Sequence, residues 1–281
     1  MALKGAIVGD ICGSQYEFRR PKDLDYKNCE LFTDRCTFTD DTVMSIATGM
    51  WASNNSNYID DIEHPLYETP HSYYLQYGKK YKGVGYGSMF EEWLDNNGEM
   101  INNSFGNGCA MRLSAIPMFV QSYEILRTCT ADTCAVTHLH AESMRGAITT
   151  VTCSWLALND KSKQEIYDYA LLVYPSDKYT YGIDRPLDDY RNTYQWSAFV
   201  QDSVPVAIRC FLESDDYESF LRNVLSLPCD TDTIAAIGGG IAEDYYKKTF
   251  DNTDEILERY LPKELLNDVN SIYETSNKLR K

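Results

Sequence analysis

Apolar positions along this chain recur at helical spacing, and no stretch alternates over the length of a strand. Val43, Ile46 and Ala47 follow an acidic pair at such spacing, and Ile234, Ala235, Ala236 and Ile237 follow a second one. The pattern predicts helices over 3–18, 40–52, 131–158 and 215–227, and a further helix from the 104–112 loop to about 127. Helical pieces are expected between 164 and 212, and one or two amphipathic helices over 254–279, where Pro262 suits a helix start. Residues 19–37 and the Tyr/Asp/Arg/Pro-rich insert 174–196 read as loops. β-Branched residues never cluster, so the expected fold is all-α. One compact domain over 1–281 is expected, a single orthogonal helical bundle with its loops gathered at one end.

Small residues add a packing expectation. Gly5, Ala6, Gly9, Gly13 and Ser14 thread the first helix, and Gly238, Gly239 and Gly240 lie together in a late one. Glycine costs about 1 kcal/mol in a helix interior. Its repetition therefore implies close helix contacts or backbone brought near a ligand.

A hydrophobic fraction of 43% over 281 residues is enough for a sizeable core. The net charge of −16 argues against a nucleic-acid backbone as the main partner. The N-terminal stretch lacks a long apolar region, and no span suits a bilayer, so no membrane partner and a cytoplasmic location are expected. Nine scattered cysteines fit reduced thiols. Cys129, Cys134, His138 and His140 match no standard zinc spacing and fall in a predicted helix.

The candidate chemistry lies at two helix starts, Thr39-Asp40-Asp41-Thr42 and Asp230-Thr231-Asp232-Thr233. One such start has a simple explanation, since Asp caps free N–H groups and meets the positive end of the helix dipole. Two near-copies some 190 residues apart favour hard divalent cations, which take oxygen ligands. Two ions at the mouth of a loop-lined cleft are expected. Asp10 and Glu17 lie seven positions apart on one helix face. Asp10 reads as a buried structural carboxylate and Glu17 as a surface group. Glycine loops at 83–88 and 104–112 permit unusual backbone angles and close approach to a ligand. Neither has the spacing or preceding strand of a dinucleotide fingerprint.

Six motifs occur in order: Gly9-Asp10-x-x-Gly13-Ser14-x-x-Glu17, Thr39-Asp40-Asp41-Thr42, Gly85-Tyr86-Gly87, Gly106-Asn107-Gly108-x-x-Met111-Arg112, Thr137-His138 and Asp230-Thr231-Asp232-Thr233. Together they resemble the ADP-ribosylglycohydrolase family, related to dinitrogenase reductase-activating glycohydrolase. The resemblance runs from residue 5 to about 246. It implies an all-helical metallohydrolase with two magnesium or manganese ions that removes ADP-ribose from modified side chains. By that resemblance Thr39, Asp40, Asp41, Asp230, Asp232 and Thr233 bind the ions, with Glu17 close by. Gly85 and Gly87 match a phosphate and ribose loop. Ser104, Gly106, Asn107 and Gly108 match the loop that holds the diphosphate and distal sugar, Phe105 an aromatic residue against adenine, and His138 a contact to phosphate or ribose. Cys229 and Cys109 depart from the pattern, standing where Gly and a small residue are usual, but neither removes a ligand.

The required chemistry is glycosidic cleavage at the anomeric carbon of a ribose. A carboxylate takes a proton from the attacking water, and Asp41 and Glu17, with Asp40 beside them, are the catalytic candidates. The expected partners are an ADP-ribosylated protein or small molecule, with ADP-ribose as product and nucleic acid only as a modified base, and the protein itself is expected to be a monomer. Arginine, serine, nucleobase and small ester linkages all remain open at this level. Two rivals stand beside this reading: an inactive ADP-ribose-binding scaffold and a metal phosphohydrolase acting on a nucleotide diphosphate.

Overall fold

The computed structural model describes residues 2–57, 59 and 67–279. Fourteen α-helices form among them, with a short 3-10 turn at Ile116–Met118 and two isolated bridges, Asn103 with His138 and Gly106 with Phe199. In chain order the helices are α1 (Leu3–Ser14), α2 (Asp40–Asn54), α3 (Pro70–Lys80), α4 (Ser88–Asp95), α5 (Gly108–Met111), α6 (Tyr123–Ala135) and α7 (Ala141–Leu158). They continue as α8 (Lys163–Val173), α9 (Leu187–Thr193), α10 (Val200–Leu212), α11 (Tyr217–Leu225), α12 (Thr231–Tyr246), α13 (Thr253–Tyr260) and α14 (Lys263–Leu279). The fold is all-α. No helix among the described residues is long and apolar enough to cross a membrane, and none of the nine cysteines forms a disulfide among the described residues.

Helices α1 and α12 form the centre and run antiparallel along their lengths. The reason is steric. A methyl at Gly9 would stand 2.3 Å from the Ala235 carbonyl oxygen, one at Gly5 2.4 Å from that of Gly239, and one at Gly13 2.5 Å from Asp232 Cα. Three glycines at i, i+4 spacing thus let two backbones touch, which side chains of any size would prevent. Helices α2, α7, α10 and α11 then pack around this pair. The seam carries the C-terminal end of α1 to the N-terminal end of α12, and so brings Glu17 beside Asp230 and Asp232.

Two predicted helices are divided in the structure. The 131–158 helix is broken by a link at 136–140, and His138 stands on the link. Cys134 accepts from the backbone N–H groups of both Thr137 and His138, which closes α6. The His140 side chain then accepts from Glu142 N–H and starts α7 as a new N-cap. The helix expected from the 104–112 loop to about 127 is likewise the short α5, the 3-10 turn containing Pro117, and α6, which opens on the Ser122 cap. Proline supplies no N–H and tolerates only the first turn. The first helix ends at Ser14 rather than 18, and the tail is two helices.

Candidate active site

Asp10 sits in the middle of α1, fully buried, where an ionised carboxylate must be hydrogen-bonded to be tolerated. It accepts from Thr39 N–H at 2.9 Å, Thr39 Oγ1 at 2.8 Å, Thr42 N–H at 3.1 Å and the Thr42 hydroxyl. These donors belong to the first turn of α2, so Asp10 caps that helix from outside and sets where Asp40 and Asp41 stand. Burial pushes its carboxyl up to about 6.

A cavity of about 630 Å³ opens over this junction. All fifteen site residues expected from the sequence line it: Thr39, Asp40, Asp41, Asp230, Asp232 and Thr233, with Glu17, form one end. Gly85, Gly87, Ser104, Phe105, Gly106, Asn107, Gly108 and His138 form the loop wall. At the acidic end the carboxylates fall into two groups. Oxygens of Asp10, Asp41 and Asp232 lie within 4.8 Å of one another, as do those of Glu17, Asp230 and Asp232. Asp232 is common to both. Asp40 belongs to neither group and lies beside Gly85, where an added methyl would come 3.0 Å from its Oδ1. Gly85 also has φ of +112°, open to glycine and strained for other residues.

Such crowding of like charge is costly, and the carboxyl groups respond together. Burial first, then the neighbouring carboxylates, raise Asp40, Asp41 and Asp232 well above the ordinary range. Glu17 is pushed up to about 7 by burial and by Asp230. Asp41 Oδ2 accepts from Thr233 Oγ1 at 3.1 Å and lies 3.3 Å from Thr39 Oγ1, whose single proton goes to the nearer Asp10 Oδ1. Asp41 Oδ1 is buried with no hydrogen-bond partner among the described residues.

The loop wall is tied to its neighbours by backbone bonds. Asn107 N–H donates to Ala198 O at 2.8 Å and Val200 N–H to Phe105 O at 3.1 Å. Ser143 Oγ donates to Ser104 O at 2.8 Å. Asn107 is itself buried, and its side-chain amide donates to Asp230 Oδ2 at 2.7 Å and Ser203 Oγ at 3.0 Å. It therefore orients an acidic residue of the cavity. His138 is buried at the foot of the loop. Phe105 is 40% exposed, its ring 4.8 Å from that of Phe199 and 5.3 Å from His140.

Other lining residues escaped the sequence reading. Phe199 and Trp196 come to the mouth from the segment after α9, and Trp196 meets Phe18 at 6.1 Å between ring centroids. Tyr86, quoted only within its motif, presents a buried hydroxyl with no partner among the described residues. Arg112 lines the cavity and was quoted only as part of a motif, as was Thr137, to which it donates. The insert 174–196 is anchored by the buried side chains of Tyr174, Tyr181, Ile183, Leu187, Tyr190 and Tyr194, which its loop-like composition concealed. The cysteine and histidine quartet does not converge. Among the described residues the close groupings of possible metal ligands are all carboxylate.

The order of these motifs around one cavity matches a known family over most of the chain: the ADP-ribosylglycohydrolase model covers residues 1–243. The chain belongs to the ADP-ribosylglycohydrolase family. It is 26% identical over 291 residues to a putative ADP-ribosyl glycohydrolase, L543, of Acanthamoeba polyphaga mimivirus, covering 88% of this chain and 86% of that protein. It is 26% identical over 315 residues to the ADP-ribosylhydrolase ARH3 of Homo sapiens, covering 87% and 84%. Its fold matches a solved ADP-ribosylglycohydrolase-related protein complex with a TM-score of 0.69 at 18% identity, over 98% of this chain and 96% of that one. Members of the ADP-ribosylglycohydrolase family hydrolyse ADP-ribose linkages and depend on metal. The donor set here fits that requirement: hard carboxylate oxygens in two groups, one of them with an orphaned buried oxygen on Asp41.

Proposed function

We propose that this protein hydrolyses the glycosidic bond between ADP-ribose and a modified acceptor, a protein side chain such as arginine or serine, and so reverses ADP-ribosylation. The observation that carries the proposal is the pair of carboxylate groups sharing Asp232 at one end of a cavity whose other wall is a glycine loop. Two magnesium or manganese ions would be held by Thr39, Asp40, Asp41, Asp230, Asp232 and Thr233, with Asp10 and Glu17 alongside. When bound, they would polarise the ribose hydroxyls and lower the pKa of a water.

The chain's own residues do the rest. Backbone N–H groups around Gly85, Gly87 and Gly106–Gly108 offer donors to the diphosphate without cationic side chains, which suits so acidic a protein. Phe105 offers a flat, exposed face for adenine. Surrounding carboxylates favour positive charge developing on the sugar as the bond breaks. Glu17 is half-buried at the cavity with its carboxylate beside those of Asp230 and Asp232, so it is placed to take a proton from a water held there. Asp41, held on one side by the Thr233 hydroxyl, is placed to hold an ion.

The test is a panel of defined substrates carrying arginine-, serine- and nucleobase-linked ADP-ribose, assayed with magnesium, with manganese and with chelator. Ion-dependent release of free ADP-ribose is the expected result, and the preferred substrate names the acceptor. AMP as product would show a phosphohydrolase. Tight ADP-ribose binding without turnover on any substrate would show a scaffold.

A further inference from the structure

His138 stands on the link between α6 and α7 with its ring against the Gly106–Gly108 loop. Its Nδ1 lies 2.7 Å from Thr137 Oγ1, and the same hydroxyl lies 2.8 Å from Arg112 Nη2. A guanidinium has only donors, so the Thr137 oxygen accepts from Arg112. That leaves one hydroxyl proton to place, and the acceptor within reach among the described residues is His138 Nδ1. The reverse assignment, with Nδ1–H donating to Thr137, would strand the hydroxyl proton in a buried site with no acceptor. Nδ1 therefore carries a lone pair, and the proton of the neutral imidazole sits on Nε2.

Arg112 is held so that this relay does not turn. It is buried, Nη2 also donates to Thr133 O at 2.9 Å, and its guanidinium lies 4.4 Å from the centre of the Tyr74 ring. On the other side of the imidazole, Nε2 has no hydrogen-bond partner among the described residues. It faces the glycine loop: a methyl on Gly108 would stand 3.4 Å from it, and one on Gly106 3.8 Å. Burial, with the Arg112 charge second, holds His138 well below its ordinary pKa, which agrees with a neutral ring.

We infer that Arg112 and Thr137 are positioning residues that hold His138 as the neutral Nε2–H tautomer, making it a fixed hydrogen-bond donor to an oxygen of the ligand and removing it from proton transfer. The identity of that ligand rests on the ADP-ribose reading above; the tautomer does not. A neutral donor suits an acidic cavity, since it orients a phosphate or hydroxyl oxygen without adding a titrating charge.

The test is nitrogen NMR of the full chain labelled at histidine, with the His138→Gln protein used to assign the resonances. In the wild type, Nδ1 should show the shift of a bare nitrogen and Nε2 that of a protonated one. In Thr137→Val the two tautomers should mix, and the KM for substrate should rise roughly 10–100-fold, the range for outer-shell partners, with kcat changing less. Thr137→Ser should restore both the spectrum and the KM. A protonated Nδ1 in the wild type would overturn the inference, as would a Thr137→Val protein with an unchanged spectrum. If the valine variant does not fold, the wild-type spectrum decides by itself. Failure of ADP-ribose to bind a protein that shows the Nε2–H spectrum would instead reject the proposed function and leave the tautomer standing.

Discussion

Charge alone does not distinguish the carboxylates of this site; their partners do. Asp41 has one oxygen bonded by the Thr233 hydroxyl and the other bare among the described residues, whereas Asp10 accepts from four donors of the α2 start. Asp41→Asn should cut turnover at least about 100-fold, beyond the range typical of outer-shell partners, while the fold remains intact. In the metal-free protein it should raise the melting temperature, because folding no longer has to protonate a buried carboxylate among like charges. Turnover at the wild-type rate under saturating magnesium would refute the two-ion reading. Asp10→Ala should instead destabilise by about 1–3 kcal/mol, through donors left unpaired in a buried place; melting curves with magnesium present measure it. Phe105 belongs to a third kind. Its 40% exposure places it outside the core, so Phe105→Ala should weaken ADP-ribose binding in calorimetry with an unchanged melting temperature. A large loss of melting temperature at constant affinity would mark it as a packing residue.

At the level of elements, the α1–α12 seam sets the site's register. Gly9 has no room for a methyl, because the nearest atoms are backbone atoms of Ala235 and Ala236. In an exposed helix Gly→Ala would gain about 1 kcal/mol. Here the forced separation should outweigh that gain and destabilise by about 1–3 kcal/mol. It should also weaken magnesium binding, since the same seam holds Glu17 against Asp230 and Asp232. Thermal melts and metal titration of Gly9→Ala check both. A stabilised variant with unchanged metal affinity would show that the seam is looser than its distances imply. The link between α6 and α7 is the second deciding element, because only a break there presents His138 to the cavity.

For the whole molecule, the grouped carboxylates couple stability to pH and to metal. Asp10, Glu17 and Glu243 have ordinary values of 3.8, 4.5 and 4.5, and in the fold they stand at about 6, 7 and 7. Asp40, Asp41 and Asp232 shift in the same direction. The folded protein therefore holds protons that the unfolded chain has already released. Stability of the metal-free protein should be fully present below about pH 4 as far as these groups are concerned. It should fall as pH rises through the folded values near 6 and 7. If the proposed site takes magnesium, the ion would supply the missing positive charge and should restore most of the loss at about pH 8, with little effect at about pH 5, where protons compete. Glu243 lies at the far end of the seam, accepting from Gly5 N–H at 2.6 Å, so its share of the loss should persist with metal. Melting temperatures at the two pH values, with magnesium and with chelator, test this. A metal-free protein more stable at the higher pH would contradict the sign.

Helical periodicity is a local property and was sufficient for the all-α class; the acidic starts and glycine loops, taken in order, carried the family resemblance, and the fifteen residues it picked out all line the cavity. Local patterns carry such information because side-chain spacing and turn chemistry act within a few residues. Which carboxylates share a group was not legible. Asp10 and Asp40 are chemically alike, and only the crossing of α1 with α2 and α12 gathers Asp10 with Asp41 and Asp232 and leaves Asp40 beside Gly85. The helix break at His138 depends on a backbone bond from Leu139 to Asn102 and on a histidine acting as a cap, neither of which periodicity encodes. Asn107 facing Asp230, and Phe199 and Trp196 at the mouth, join residues roughly ninety or more positions apart or in different loops. Contacts of that kind exist only once backbones have packed, so tertiary structure alone decided them.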